Sequence, residues 1–576
     1  MAIETKQPAT PAPNPFENFD ACFKRRNVVI IFESETGGMP TSQTIPLPGG
    51  GAAGLAGHFA GNMDISKYLE ASGTLGRSPA DPRMMLKIII YANTQGIRST
   101  RGAEKLCKSD AGAVWLLGGE SPPDHSTISR HRAALAEGGV MALLGQQAKM
   151  LLGCGETALG EVFQDGTKLE SFAGRHTFVW RGSVEKYLAK AAAKARAAAV
   201  AASALLGQAP GSWAMEGSTE EVPLAGLAGL SAGLAAKMAS SGIIAVSGSG
   251  KKKSGLQKAA EELDALASAI GRYRDHLGIM GEDRNSYSKT GNDATFMRMK
   301  DDHLGNGQPE PAYSLQLAVS SEYIAGATLS QGRNGMASLR PMLELLASYD
   351  LWLGRYVSDS GYGCEENSGL LEIMAIAAFI TPSDRHARKK KPFKNQVWRR
   401  ENMAYDGDGD TCTCANGKTL RFARTEKRKS KTGFVSEVSI YRCDSCEGCP
   451  HKGEPYAKGQ DREIQKEKEK VGPPICSRAK GDKVMEVSKR YVELREESRL
   501  NVESGEGALL RADRSIQSEG AFPAFKCAFG FSRLFTKGLK MALCEAALQC
   551  LAINTMKLLS KKNAGRLGSH LHPLKE

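Results

Sequence analysis

Two aspartates beside predicted strand ends, and one glutamate far from both, mark where this sequence could do chemistry. Asp165 follows Glu161-Val162-Phe163-Gln164 and precedes Gly166-Thr167-Lys168; Asp359 follows Arg355-Tyr356-Val357-Ser358 and precedes Ser360-Gly361-Tyr362-Gly363. Carboxylates at neighbouring strand tips offer the hard oxygen ligands that Mg²⁺ takes, with room left for phosphate. Two such ions about 3.5–4 Å apart stabilise the attacking and the leaving oxygen of a phosphoryl transfer. Each Asp also has a plainer reading, as the start of a turn beside Gly or Ser. The third acid, Glu519, lies in Arg514–Gly538 (RSIQSEGAFPAFKCAFGFSRLFTKG), seven positions ahead of Lys526. In a regular helix that spacing puts both near one face, about two turns apart, although Gly520 and Pro523 weaken the first turn. A helical Glu519 can close a metal site with two strand carboxylates, leaving Lys526 and Arg533 to reach phosphate; the alternative is a solvated helix face.

Charge points to a polyanionic partner. Of the net +13, Arg385–Arg400 (RHARKKKPFKNQVWRR) carries eight Lys/Arg and no acid, and Lys418–Lys431 (KTLRFARTEKRKSK) seven with one acid, Glu426. The rest of the chain is therefore close to neutral. A focused basic region, Lys389, Lys390 and Lys391 at its densest, suits phosphate neutralisation with counterion release; solvated flexible loops are the other reading. The N-terminus has no basic region followed by an apolar core, so no secretory signal is expected. The nearest approach to an apolar span, Val222–Val246, is broken by Gly, Ser and Lys237, so no membrane partner is expected. A cytoplasmic, nucleoid-associated protein is the corresponding expectation.

In a reducing compartment the 13 cysteines are more suited to metal than to disulfides. Six fall between 412 and 476. Cys443-x₂-Cys446-x₂-Cys449, with Cys414 about 30 residues upstream, has spacing able to form a tetrahedral structural Zn²⁺ site; free thiols in a small β insertion are the alternative. Cys544 and Cys550, on an apolar C-terminal segment, read as core residues.

The elements that must position these groups follow from periodicity. Residues 1–56, rich in Pro, Gly and Thr, read as a weakly ordered lead-in with one short strand, Val28 to Phe32. Residues 57–150 read as helical: one helix after Pro82, a second from Ser99 or Thr100 to Cys107, and a third opening at His125 with Asp124 or Ser126 as cap. Ser, Thr, Arg and His at the head of the third resemble a helix-turn-helix recognition helix, with Arg130 and Arg132 as DNA contacts; a small bundle packed on the main domain is the alternative. Strands are predicted at Glu161 to Gln164, Tyr313 to Val319, Tyr323 to Leu329, Arg355 to Ser358 and within Met374 to Thr381, with Leu339 to Tyr349 an amphipathic helix. Residues 187–282 read as a helical and low-complexity insertion, with 207–253 as a Gly/Ala/Ser linker. Residues 385–504 read as a basic, Cys-containing insertion, and 563–576 as a tail.

Taken together, these segments resemble the DDE transposases of the IS1182-like group, within the IS4-type, RNase H-like superfamily. The resemblance covers most of 57–385 and 505–562. It is carried by Ser-Pro-Ala-Asp-Pro-Arg-Met-Met-Leu-Lys at 78–87, Gly96-Ile97-Arg98-Ser99-Thr100-Arg101, Pro123-Asp124-His125-Ser126-Thr127-Ile128-Ser129-Arg130 and Asp165-Gly166-Thr167-Lys168-Leu169-Glu170. It continues through Thr177-Phe178-Val179-Trp180, the run from Asp293 to Lys300, Asp359-Ser360-Gly361-Tyr362-Gly363-Cys364-Glu365-Glu366-Asn367, and Glu519 through Gly538.

The resemblance implies an α/β fold: an RNase H-like mixed sheet flanked by helices, built from 151–186, 283–384 and 505–562, with an N-terminal helical domain and two insertions. It places the first Asp on the first strand and the second just after the fourth, which is also the order of the predicted strands. It implies Asp165, Asp359 and Glu519 as catalytic acids holding two Mg²⁺ (or Mn²⁺). The Glu519–Lys526 spacing matches the Glu-six-Lys half of the IS4-type signature. The Tyr and Arg expected before the Glu are replaced by Ala512 and Ser515, with Arg511 or Arg514 as substitutes for the DNA contact. The implied activity is cleavage of double-stranded DNA at a mobile element's terminal inverted repeats and joining of the freed 3′-hydroxyl to target DNA, in a dimer or larger synaptic complex. A catalytically inactive DNA-binding derivative and a nuclease without strand transfer are the alternatives. Cysteine-bearing insertions like 385–504 also occur in the family.

Overall fold

The computed structural model of the chain describes residues 27–32, 41–46, 51–72, 80–209, 211, 213, 222–247, 251–299, 305, 307–333, 335–453, 476–477 and 481–568. Ser78, Pro79, Lys300, the side chain of Glu519, residues 569–576 and most of the lead-in lie outside it. In chain order the strands are β1 (Asn27–Phe32), β2 (Thr41–Pro46), β3 (Glu161–Glu170), β4 (Phe178–Trp180), β5 (Ser286–Ser288), β6 (Thr295–Met297), β7 (Glu310–Ser320), β8 (Tyr323–Ser330), β9 (Arg355–Ser358) and β10 (Ala377–Ile380). A second group follows: β11 (Ala404–Asp406), β12 (Thr411–Thr413), β13 (Thr419–Lys429), β14 (Val435–Cys443) and β15 (Val484–Val487).

Six of these make a mixed sheet that helices flank, with order β10-β9-β3-β7-β6 and β8 also on β7. β3 pairs antiparallel with β7 and parallel with β9, β9 parallel with β10, and β7 antiparallel with β8. β7 is buried almost throughout, as a strand covered on both faces must be. The β7–β8 hairpin turns on Ser321 and Glu322, both left-handed (φ +49° and +74°), the geometry a two-residue turn needs to match strand twist.

The N-terminal helices pack directly on this sheet. Pro82–Thr94 starts on an Asp81 cap, Thr100–Ser109 on Ser99, and His125–Glu137 on Asp124, each side chain accepting an otherwise unpaired backbone N–H. Their apolar faces join Leu315, Leu317 and Tyr323 of the sheet and the helix Leu539–Asn563 in one continuous core. Among the described residues Leu539–Asn563 is the one helix long and apolar enough to cross a membrane, a candidate that composition around Val222–Val246 had not suggested; most of its apolar stretch is buried inside the core. Buried polar anchors fix its rotation. Asn554 Oδ1 accepts from the Ile324 N–H at 2.8 Å, and Lys561 Nζ lies 2.9 Å from Glu156.

The first insertion departs from expectation in its middle. Residues 207–253 contain a helix, Leu224–Ser240, packed with Arg181–Leu206 and Gly255–Met280 around Ala195, Ala199, Leu227, Leu230, Leu234 and Leu263. Gly226 and Gly233 are not breakers there but contact points: a Cβ on Gly226 would lie 2.0 Å from the Trp213 carbonyl oxygen, and one on Gly233 3.1 Å from Leu206.

The second insertion is a five-stranded antiparallel sheet, β11-β12-β13-β14-β15. The chain returns to the main sheet earlier than 504. Helix Lys489–Glu503 packs on β10, where Ser498 Oγ receives the Ile380 N–H at 3.0 Å and returns its own proton to the Ile380 carbonyl at 3.1 Å. The apolar residues Leu494 and Val502 on that helix carry the signal.

Candidate active site

Parallel pairing of β3 with β9 brings the positions of Asp165 and Asp359 next to each other. Phe163 stands opposite Val357, and Gln164 opposite Ser358. Two residues on from Phe163 and Val357, strand alternation brings Asp165 and Asp359 to the same side. β3 runs on to Glu170, so Asp165 lies inside a strand rather than at its end, whereas Asp359 follows the last residue of β9. Asp165 Oδ1 accepts from the Gly166 N–H at 2.7 Å, and Asp359 Oδ1 from the Gly361 N–H at 2.8 Å, which caps the short 3₁₀ turn Ser360–Tyr362.

Beneath them, Phe163, Val357 and Phe379 form a buried cluster with Val502 and Leu510. That cluster seats the helix Gly505–Pro523, which packs on β3, β7 and β9. One turn on from Leu510, Arg514 brings Nη1 to 3.5 Å from Asp165 Oδ2, both side chains one-fifth exposed. Gln517 accepts the Glu322 N–H at 3.2 Å, and Ser518 is buried with its Oγ unpaired among the described residues. Glu519 is the next residue of this helix.

On the other side of the strands lies a polar network that sequence reasoning missed. Tyr356 donates to Gln164 Oε1 at 2.9 Å, and Gln164 Nε2 to Ser338 Oγ at 3.2 Å. Tyr362 donates to Gln316 Oε1, and Gln316 Nε2 to Ser314 Oγ at 3.0 Å. Gly166 pairs with Gln316 across the β3–β7 ladder, and a Cβ there would fall 2.3 Å from Gln316 Nε2. The Tyr362 hydroxyl is held well above its ordinary pKa, first by burial and then by the negative charges of Asp165 and Asp359, with Arg514 acting the other way. One buried phenol thus senses both carboxylates and the guanidinium. The motif residues Gly166 and Tyr362 were visible in the sequence, but their partner Gln316 comes from a different segment.

The Glu519–Lys526 spacing does not form two regular turns. Pro523 ends the α-helical pattern and Ala524–Ala528 is a π-helical turn. The extra residue in that turn shifts Lys526, half-buried, off the face a straight helix would give it. Beyond it the chain docks on the end of β3: the Leu534 N–H reaches the Glu170 carbonyl at 2.9 Å, and Arg533 Nε stands 3.4 Å from Glu170 Oε1.

At the candidate DNA-reading helix, Arg130 is exposed and donates to Thr127 Oγ1 at 2.9 Å. Arg132 is buried, with Nη1 on the Arg98 carbonyl, so its guanidinium serves the interior and is set aside as a DNA contact. Arg98 itself bonds the carbonyls of Arg533 and Gly530 at 2.9 and 3.0 Å, lies 3.4 Å from Glu545, and sits over the rings of Phe531 and Phe535. The segment around Arg98 therefore ties the N-terminal helices to the chain that follows the site helix. Lys389, Lys390 and Lys391 are all exposed.

Cys414, Cys443, Cys446 and Cys449 line one cavity of the second sheet, joined there by Cys476 and His451. Among the described residues no three His, Cys, Asp or Glu side chains form a ready-made metal cage, either here or at the aspartates.

Two family models match the chain: a transposase domain (DUF772) over residues 61–134 and a transposase DDE domain over residues 473–559. No curated protein and no solved structure matches it. The first match covers the helices on either side of Arg98 and the cap of His125–Glu137; the second covers the helix with Arg514 and Glu519 and most of the core helix behind it. By these two matches, in the arrangement that fits the IS1182-like group, the chain is recognised as a DDE transposase.

Proposed function

We propose that this transposase cleaves phosphodiester bonds at the ends of a mobile DNA element and joins the freed 3′-hydroxyl to target DNA, with Asp165, Asp359 and Glu519 as its catalytic acids. The observation that carries the proposal is the parallel pairing of β3 with β9, whose last pair, Gln164 and Ser358, immediately precedes Asp165 and Asp359, with Arg514 reaching Asp165 from the helix that also bears Glu519. The sheet order, with β7 and β8 antiparallel on one side of β3 and β9 and β10 parallel on the other, supports an RNase H-like core.

The donor set suits hard divalent ions. Both carboxylates act on the buried Tyr362 hydroxyl, the Arg514 guanidinium stands 3.5 Å from Asp165, and carboxylate oxygens are the donors such ions take. Mg²⁺ or Mn²⁺, two ions held by Asp165, Asp359 and Glu519, would supply activation of the attacking oxygen and neutralisation of the leaving one. The chain's own contribution is position: the sheet fixes the separation of the aspartates before DNA arrives, so no reorganisation is needed at the moment of reaction. Arg514, 3.5 Å from Asp165, is placed to exchange that carboxylate for a phosphate when a metal ion takes it. Lys389, Lys390, Lys391, Arg130, Arg533 and Lys526 serve as phosphate contacts that hold duplex DNA without reading it. Two element ends must be held together, so the working form is a dimer or larger.

The test is cleavage and strand transfer on duplexes carrying the inverted repeats that flank the coding region. Asp165→Asn, Asp359→Asn and Glu519→Gln should each abolish both reactions while leaving gel-shift affinity within about threefold. Unchanged cleavage by any of the three removes that residue from the site. Cleavage without joining in the native protein would make it a nuclease instead.

A further inference from the structure

The cysteines of the second sheet carry an inference independent of phosphoryl transfer. Cys414, Cys443, Cys446, Cys449, His451 and Cys476 enter one cavity from three separate stretches of chain. Cys412, close in sequence, is not among them; it is buried with Leu420 and Tyr441 in the core of the sheet. Two of the stretches are tight turns built on left-handed glycines. The Gly417 N–H (φ +70°) returns to the Cys414 carbonyl at 2.9 Å, and Gly448 (φ +66°) sits between Cys446 and Cys449, whose N–H faces the Cys446 carbonyl at 3.4 Å. Turns of this kind let backbone and sulfur face the same point, and only Gly takes the left-handed position without strain. The third stretch is docked by two backbone hydrogen bonds: Cys476 N–H on the His451 carbonyl at 2.6 Å, and Gly453 N–H on the Ser477 carbonyl at 3.0 Å.

The sulfurs differ in what they bond. Cys446 Sγ accepts the Lys483 N–H at 3.2 Å, the bond a metal-bound thiolate receives, whereas Cys443 Sγ is turned to the Ser445 carbonyl at 3.6 Å. Lys452 and Lys483 border the same cavity and offset the charge that thiolates would bring. We propose that this cavity binds one Zn²⁺ through the thiolates of Cys414, Cys446, Cys449 and Cys476, with Cys443 outside the set. Four thiols lose their protons to solvent as four Zn–S bonds form, with no change of oxidation state. The sulfurs close in on the ion as it binds, and four thiolates fill a tetrahedral site, leaving His451 as a neighbour. The ion would tie Cys476 to the two turns at the root of the basic β13–β14 ribbon.

The test uses the full-length chain expressed with zinc and dialysed. Elemental analysis should give about one zinc per chain. Exchange for Co²⁺ should give the intense d–d and thiolate charge-transfer bands of a tetrahedral sulfur site. Cys414→Ser and Cys476→Ser should lose the metal, and Cys443→Ser should keep it. Because a serine variant can fail to fold, alkylation of the native protein is read by mass spectrometry: with metal, Cys414, Cys446, Cys449 and Cys476 are protected, and a chelator exposes them. A zinc-free native protein without the cobalt bands, or one with the visible absorption of an iron–sulfur cluster, overturns the proposal. So does protection of Cys443 in place of Cys476.

Discussion

Replacing Gly166 by Ala probes the support under the two aspartates with a single methyl group. Gly166 and Gln316 are paired across β3 and β7, and the added Cβ would stand 2.3 Å from Nε2 and 2.8 Å from Cδ and Oε1 of Gln316. Gln316 is only 2% exposed, so it cannot swing into solvent. It must break its bonds to Ser314 and Tyr362 or push β7 away. Overpacking of this size costs about 1–3 kcal/mol, and a buried Tyr362 hydroxyl left unpaired about 1–3 more. The smaller entropy of the unfolded Ala chain offsets about 0.4–1 kcal/mol. The net is a loss of about 1–5 kcal/mol, a large share of a domain's stability. A chain with several packing units unfolds in more than one step, so the assay is hydrogen exchange of the β3 and β7 amides in a urea series. Gln316→Ala removes the obstructing amide, so in that background Gly166→Ala should cost less than about 1 kcal/mol. An equal cost in both backgrounds, or none in either, would refute the steric argument and the network drawn from it.

Three further outcomes follow from other parts of the chain. Arg98→Lys keeps the charge but loses the planar fork between Phe531 and Phe535 and one of the two carbonyl bonds; it should cost about 2–4 kcal/mol in thermal unfolding, and wild-type stability would deny Arg98 its role as a tie. Burial holds His131 below the ordinary imidazole value, with Arg130 adding to the effect and Asp81 opposing it. The folded state therefore favours the neutral ring, its contribution is complete above about pH 6.5, and stability falls as pH drops below that. His131→Asn should flatten the pH 7 to pH 5 slope of the urea midpoint, and an unchanged slope would assign the effect elsewhere. Replacing exposed Lys389, Lys390 and Lys391 together by Ala should reduce the slope of log affinity against log salt by up to about 2.7, with an unaltered slope removing this run from the DNA contact.

What the sequence made legible divides along local and non-local lines. Helix starts after Pro82, at Ser99 or Thr100 and at His125 were readable because their signals are local, a Pro in the first turn or a cap that acts within three residues of itself, and the structure adds Asp81 as the cap of the first. The β7–β8 hairpin and the short strand before Asp359 were readable from alternation over a few residues. Leu224–Ser240 was hidden because its glycines look like breakers until the facing Trp213 carbonyl and Leu206 are known. The regular turns assumed between Glu519 and Lys526 failed for the opposite reason: Pro523 was seen, but the π-helical turn it leads into runs straight into the segment 531–534 that docks against β3, a partner distant in sequence.

The same division explains why the candidate acids were easier to single out than the residues around them. Asp165 and Asp359 stand out because a carboxylate beside an apolar strand is conspicuous in a single segment. The groups that fix their separation are not conspicuous, since each is ordinary until its partner is known. Gly166 matters through Gln316, which is 150 positions away in a strand of opposite direction, and Tyr362 reaches the same amide from the loop after β9. Arg98 invites reading as a DNA contact in a basic Gly-Ile-Arg-Ser-Thr-Arg stretch, yet its forked bonds close on carbonyls more than 430 residues downstream. A motif in this chain therefore mixes exposed residues, open to a substrate, with residues that hold distant segments in register, and burial separates the two. Arg130 and Arg132 differ by two positions on one helix: Arg130 faces outward, and Arg132, packed under Arg98, faces the interior.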